Sequence, residues 1–158
     1  MKFSELKGRA VVSLDDAKKI GDVEDIMVDP VGRHIVGLKV RTGVFSASEF
    51  VRAAEVKNIG ADAVTVSANA NSAPVPAESA ESPIGLTSIL GNKVVTDTGT
   101  LVGELRDVLI DWTNLTITGY EAGESGLFAK VRAFTATPDV RFGDKIITLP
   151  AELLSQPG

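Results

Sequence analysis

The chain has 158 residues, of which 44% are hydrophobic and 5% aromatic, and its formal net charge is −5. The hydrophobic content is typical of a packed globular protein, and a core with few aromatics must be built mainly from Val, Ile and Leu, which favour β-strands. The sequence has no cysteine, which excludes disulfides, thiolate metal sites and a cysteine nucleophile. The acidic balance argues against nucleic-acid binding, because such binders usually carry a basic excess.

The chain begins with the residues MKFSELKG, which lack the apolar run of a signal peptide. No stretch of the sequence approaches the roughly 18–20 consecutive apolar residues that span a bilayer as a helix. The sequence therefore predicts a soluble, cytoplasmic protein.

In chain order, short apolar runs alternate with turn residues and helical periodicity is scarce. About five or six short strands in each half, without a long helix to cover a flat sheet, indicate a closed barrel. The predicted elements are strand Ala10–Ser13, a hairpin turn at Asp29–Gly32, strand Ala63–Val66, strand Lys93–Thr96, a hairpin turn at Asp111–Asn114, strand Lys145–Leu149 and a short helix over Pro150–Leu154.

The two halves contain an internal repeat with an offset of 82 residues. Residues 20–29 (IGDVEDIMVD) match residues 102–111 (VGELRDVLID) at every apolar position. Self-similarity at a fixed period is the sequence signature of repeated structural units. The repeat predicts two copies of one small domain, which arose by duplication.

An Ala/Ser/Pro-rich segment separates the two copies. Residues 67–83 (SANANSAPVPAESAESP) contain one sizeable apolar residue, so they cannot bury enough surface to offset their ordering entropy. The sequence thus predicts an all-β chain of two tandem small β-barrels, residues 1–66 and 84–158, joined by a flexible linker.

The longest predicted strand of each copy does not alternate cleanly between apolar and polar positions. Strict alternation would place the apolar residues Val23 and Ile26 on opposite faces of the strand. Leu105 and Val108 show the same departure from alternation in the second copy. A shared β-bulge that resets which face points inward explains both. The predicted bulges lie near Glu24–Asp25 and near Arg106–Asp107.

Both copies carry one motif: a glycine, an Asp–apolar–apolar–apolar–Asp strand, a turn, and an apolar strand broken by glycine. This motif resembles the hallmark of the PRC-barrel family, and it covers nearly the whole chain outside the linker. The resemblance implies small β-barrels that act as interaction modules. The motif residues are Gly21, Asp25–Asp29 and Gly37 in the first copy, and Gly103, Asp107–Asp111 and Gly119 in the second.

The resemblance implies a non-enzymatic protein-binding or scaffold protein that uses strand edges and hairpin tips and needs no cofactor. One alternative is an RNA- or ribosome-associated assembly factor, which the charge opposes. Another is a small-molecule binder at the crevice between the barrels.

Each copy holds roughly 65–75 residues, a size at which a single core is often marginal. We therefore expect the barrels to pack on one another or on a second copy of the chain, and to unfold in one transition.

The sequence offers no catalytic, cofactor or metal site. Aspartates four apart on a strand, such as Asp25 and Asp29, lie about 13 Å from each other, wider than the roughly 5–9.5 Å of glycosidase carboxylate pairs. We therefore expect these aspartates to bond turn amides. His34 is the only histidine, so a histidine metal cluster is impossible, and we expect it to face solvent beside a turn.

Three aromatic residues are candidate partner contacts. Trp112 lies at a hairpin tip, where it either caps its own barrel or anchors a partner, as aromatic residues often do at interfaces. Phe45 and Phe128 occupy matching loops of the two copies and carry the same two alternatives.

Overall fold

The structure, a computed structural model, describes residues 1–29, 34–43, 47–67, 73–74, 83–124 and 130–154. The chain divides into two compact units. One comprises Glu5–Leu86, and the other comprises Thr87–Gly158 together with Met1–Ser4. We call them the N-terminal unit and the C-terminal unit. Each is built on one curled β-sheet.

The sheet of the N-terminal unit has the order β5-β6-β1-β2-β3-β4-β7, and β8 pairs with one end of β2. Neighbours are antiparallel except β1 and β6, which run parallel. The strands are β1 (Ala10–Ser13), β2 (Lys18–Val28), β3 (Ile35–Arg41), β4 (Glu49–Arg52), β5 (Val56–Ile59), β6 (Ala63–Val66), β7 (Ala73–Pro74) and β8 (Ile84–Gly85).

The sheet of the C-terminal unit has the order β12-β11-β10-β9-β14-β13. Read from β13 to β12, this order matches the first six strands of the N-terminal order, β5-β6-β1-β2-β3-β4. The match includes the parallel pair, which here is β9 and β14. The shared topology agrees with duplication. The strands are β9 (Lys93–Thr96), β10 (Leu101–Asp111), β11 (Thr116–Gly123), β12 (Val131–Thr135), β13 (Arg141–Phe142) and β14 (Ile146–Leu149).

The helices in the described residues are short. The predicted terminal helix is a 3₁₀-helix that begins directly after Pro150, and none of the described helices is long and apolar enough to cross a membrane. The helices are α1 (Phe3–Leu6) and three 3₁₀-helices, Ala53–Glu55, Leu86–Ser88 and Ala151–Leu154.

Both predicted bulges are confirmed. The register of β2 against β3 shifts between Val23 and Asp25, and that of β10 against β11 shifts between Leu105 and Asp107. The extra residue lets the strand present apolar side chains to the core before and after the shift. After the bulge in β2, every residue from Asp25 to Val28 is buried.

The glycines that break the following strand, Gly37 and Gly119, lie at equivalent places. Gly37 pairs with Met27, and Gly119 pairs with Leu109. A Cβ on Gly37 would lie 2.7 Å from the Phe50 ring, so the neighbouring strand leaves no room for a side chain.

The core consists mainly of aliphatic side chains, as the composition predicted, and Ile26 and Val108 are both fully buried. Replacing either with Ala should lower the free energy of unfolding by about 1–4 kcal/mol, because the lost side chain leaves a cavity. Chemical denaturation measures the change. Ile146→Ala is the control, since Ile146 is 45% exposed. An unchanged midpoint for Ile26→Ala or Val108→Ala would contradict the core assignment.

Candidate interaction sites

In the C-terminal unit, the first residues of the chain dock on the edge of β10. Lys2 pairs antiparallel with Leu109, and the N–H of Ile110 donates a hydrogen bond to the carbonyl of Met1 at 2.8 Å. We call this edge of β10, with the side chains beside it, the C-terminal slot; its residues are Asp107, Leu109, Ile110 and Glu121. Its occupant, Met1–Ser4, comes from the first sequence repeat.

Two acidic side chains hold that segment. Asp107 accepts a hydrogen bond from the N–H of Ser4 at 3.1 Å through Oδ1 and one from the Ser4 hydroxyl through Oδ2. Asp107 is 8% exposed and also accepts from the N–H of Val108 at 2.8 Å. Lys2 Nζ lies 3.0 Å from Oε1 of Glu121 on β11. The segment is therefore fixed by backbone pairing, a buried carboxylate and an ion pair.

In the N-terminal unit, β8 docks on the edge of β2 in the same manner. Gly85 pairs antiparallel with Met27, and Ile84 pairs with Val28. We call this edge of β2, with Asp25 beside it, the N-terminal slot; its residues are Asp25, Met27 and Val28. Because Ile84 opens the second sequence repeat, each unit completes its sheet with a segment of the other repeat.

The N-terminal slot also contains a buried aspartate. Asp25 is 8% exposed, and its Oδ1 accepts a hydrogen bond from the N–H of Ile26 at 2.8 Å. Its carboxylate lies against Gly85 so closely that a Cβ on this glycine would overlap Oδ2 and lie 2.8 Å from Cγ. The matching aspartates of the motif thus lie in the two slots.

Asp111 has the role expected of an aspartate at a strand end. Its carboxylate accepts hydrogen bonds from the Asn114 side chain at 2.6 Å and from the Asn114 backbone N–H at 3.3 Å. These bonds hold the pKa of the Asp111 carboxyl below its usual value. Asp107 differs, because it is buried within β10 and bonds Ser4 instead of a turn amide.

Glu24, at the bulge of β2, is part of a polar cluster. It accepts a hydrogen bond from the Ser48 hydroxyl, and its carboxylate oxygens lie 3.8 Å from Lys39 Nζ and 3.4 Å from Arg41 Nη2. The Ser48 hydrogen bond, followed by the positive charge of Lys39, lowers the pKa of Glu24. Arg106 takes the place of Glu24 in the other copy, so the polar surfaces beside the two bulges differ in charge.

The outer edge of β12 lies at the end of the strand order and has no strand paired to it among the described residues. The equivalent strand in the N-terminal unit, β4, is extended by β7, with Phe50 opposite Ala73. Ala133 is equivalent to Phe50 in register. Phe50 pairs with Lys39 and Ala133 pairs with Glu121, and Lys39 and Glu121 pair with the matching aspartates Asp25 and Asp107. All residues of β12 except Phe134 are exposed. Within the part of the chain that the structure describes, the same edge position is therefore covered in one unit and open in the other.

The structure locates one of the three aromatic candidates. Trp112 is half-buried in the turn after β10, where its carbonyl accepts a hydrogen bond from the N–H of Leu115 at 3.3 Å. Phe45 and Phe128 lie outside the described residues. His34 is exposed just before β3, as expected for a residue beside the turn.

The fold and its interaction sites define a class of protein: two small curled β-sheet units in tandem, each completed by an added extended segment. The family model of the PRC-barrel domain matches residues 1–71 and again residues 83–153. The chain therefore belongs to the PRC-barrel family, with two copies of the domain. No curated protein matches it.

Proposed function

We propose that this chain is a non-enzymatic protein-binding module that takes an extended segment of a partner protein along the outer edge of β12. The observation that supports this most strongly is the strand β7 on the equivalent edge of the N-terminal unit. The fold accepts an added antiparallel strand at this position, and β12 presents the same position to solvent. Addition of a strand to an exposed sheet edge is a recurring mode of peptide recognition.

The hydrogen-bonding groups of β12 suit this role. Hydrogen-bonded and non-hydrogen-bonded pairs alternate along an antiparallel ladder, and the N–H of Ala136 donates to the carbonyl of Thr118 at 3.0 Å in the register of β11 and β12. Phe134 is therefore bonded to β11, and the backbone groups of Ala133 point away from it. Val131 and Thr135 lie two residues before and after Ala133, and their backbone N–H and C=O groups face the same outer edge.

Three carboxylates of the described residues are engaged in hydrogen bonds within the chain. Asp107 accepts hydrogen bonds from Ser4, Glu24 accepts one from Ser48, and Asp111 accepts two from Asn114. Such bonds assign these carboxylates to structural roles, which supports a binding or scaffold function over catalysis.

Ala133→Pro should abolish strand addition while leaving the unit folded. Proline removes the outward N–H of residue 133, and proline is tolerated in edge strands when its missing N–H would face solvent. The partner is first recovered by affinity capture on the full chain and identified by mass spectrometry, and its Kd is then measured by calorimetry. Loss of the edge hydrogen bonds should weaken binding by about tenfold or more.

The matched control is Ala133→Val, which keeps the N–H and favours a strand, and which should bind like the unmodified protein. Equal affinity for Ala133→Pro and Ala133→Val would contradict binding at this edge. Capture of RNA with an affinity that falls steeply as salt rises would instead support the ribosome-associated alternative.

A further inference from the structure

We infer that each slot selects one of the two docked segments. The contact of Lys2 with Glu121 selects Met1–Ser4 for the C-terminal slot, and the close contact of Gly85 with Asp25 selects Ile84–Leu86 for the N-terminal slot. The inference is independent of the proposed binding along β12. It identifies specificity residues at a recognition site whose ligand is a segment of this same chain. The occupant of the C-terminal slot is Met1–Ser4, and that of the N-terminal slot is Ile84–Leu86.

Lys2 and Gly85 hold equivalent places in the two slots. Lys2 pairs with Leu109, and Gly85 pairs with Met27. Leu109 and Met27 are matched by the 82-residue offset of the repeat. If Ile84–Leu86 docked in the C-terminal slot, Gly85 would therefore occupy the place of Lys2. If Met1–Ser4 docked in the N-terminal slot, Lys2 would occupy the place of Gly85.

The C-terminal slot favours a cation at this position. Glu121 is 18% exposed in its side chain, and its Oε1 lies 3.0 Å from Lys2 Nζ. Glycine in the place of Lys2 would leave the Glu121 carboxylate without this ion pair. Ile84–Leu86 in the C-terminal slot would therefore forfeit a charge interaction that Met1–Ser4 makes.

The N-terminal slot excludes a lysine at this position by size, and it lacks the glutamate that Lys2 contacts in the C-terminal slot. A Cβ on Gly85 would overlap Oδ2 of Asp25, a buried group whose other oxygen is bonded to the N–H of Ile26. Lys39 pairs with Asp25 as Glu121 pairs with Asp107. Lys2 in this slot would therefore meet a lysine in the place of the glutamate that it now contacts.

Because the chain has no cysteine, engineered pairs can report which slot a segment occupies. Ile84→Cys with Val28→Cys joins residues that are opposite in the observed register, a spacing that suits a disulfide. Ile84→Cys with Ile110→Cys joins the same segment to the other slot. On oxidation of the full chain, the first pair should form an intrachain disulfide and the second should not, as read by peptide mass spectrometry.

Exchanging the two specificity residues, Lys2→Gly with Gly85→Lys, should reverse this result. The segment at residue 84 would then carry the cation that the C-terminal slot favours and the side chain that the N-terminal slot excludes. Disulfide between positions 84 and 110 should replace the one between 84 and 28. Unchanged trapping between 84 and 28 in the exchanged variant would overturn the inference.

A second series keeps the inference testable if the exchanged variant does not fold. Lys2→Glu and Glu121→Lys alone should each lower the melting temperature, and together they should restore it. The stabilities should correspond to a coupling of roughly twofold to fivefold in the folding equilibrium. The coupling should shrink at about 1 M salt, where the Debye length falls to roughly 3 Å. Additive losses in the double variant would overturn the role of this pair.

Discussion

Residues 1–66 and 84–158, produced as separate chains, should each unfold at a lower denaturant concentration than the full chain. The fragment 84–158 lacks Met1–Ser4, so Asp107 and Glu121 lose their partners in the C-terminal slot. The fragment 1–66 lacks β8, which pairs with the buried residues Met27 and Val28. Hydrogen bonds to a charged group contribute about 1.5–3 kcal/mol, and we expect each fragment to lose at least about 3 kcal/mol.

Two further chains test the physical reason for that loss. Residues 5–86 keep β8 in the N-terminal slot, so this chain should be more stable than residues 1–66. Mixing the fragments 1–66 and 84–158 should raise the stability of both, because each supplies the segment that the other lacks. Fragments that unfold as monomers at the midpoint of the full chain would show that the exchange contributes nothing.

The same exchange gives a reason for cooperative unfolding of the full chain. Each unit contains a segment of the other repeat, and helix α1 (Phe3–Leu6) has residues in both units, so unfolding of one unit also disrupts a helix that is part of the other. Residues that share contacts are energetically coupled. We therefore expect one transition in calorimetry, with equal calorimetric and van't Hoff enthalpies.

The sequence predicted the strands well because their signals are local and occur twice. Ala10–Ser13, Ala63–Val66 and Lys93–Thr96 are strands with the predicted bounds. The bulge could be located because Val23 and Ile26 depart from two-residue alternation, and the second copy repeats this departure. An inserted residue in the strand is the simplest explanation of such a repeated departure.

The exchange of segments could not be read from the sequence, for a physical reason. Duplication gives both repeats an equivalent segment and an equivalent slot, so the apolar pattern fits either pairing. The choice depends on single side chains, such as Lys2 opposite Glu121 and Gly85 against Asp25, whose proximity only the register reveals.

Strand β7 could not be predicted for a different reason. Ala73 and Pro74 lie in a segment whose composition is typical of a linker, and neither residue favours a strand. Antiparallel pairing with Glu49 and Phe50 determines their structure. Backbone hydrogen bonds depend little on side-chain type, so composition does not report them.

Asp107→Ala should cause a large loss of stability for a single substitution of a polar residue. The change removes the acceptor of three donors: the Ser4 N–H, the Ser4 hydroxyl and the Val108 N–H. Donors left without an acceptor in a buried site carry the full cost of desolvation, so we expect the free energy of unfolding to fall by about 2–4 kcal/mol.

Asp107→Asn separates the hydrogen bonds from the charge. Asparagine keeps one acceptor oxygen for the Val108 and Ser4 N–H groups, and the Ser4 hydroxyl can accept from its amide, so the loss should be smaller than for alanine.

Asp111→Ala is the control for removal of a carboxylate at the solvent-exposed end of the same strand, and it should change stability much less. Hydrogen exchange gives the local measurement: the N–H of Ile110, which donates to Met1, should lose protection in Asp107→Ala and keep it in Asp111→Ala. Equal unfolding midpoints for Asp107→Ala and Asp111→Ala, with Ile110 still protected in both, would show that the buried aspartate does not hold the docked segment.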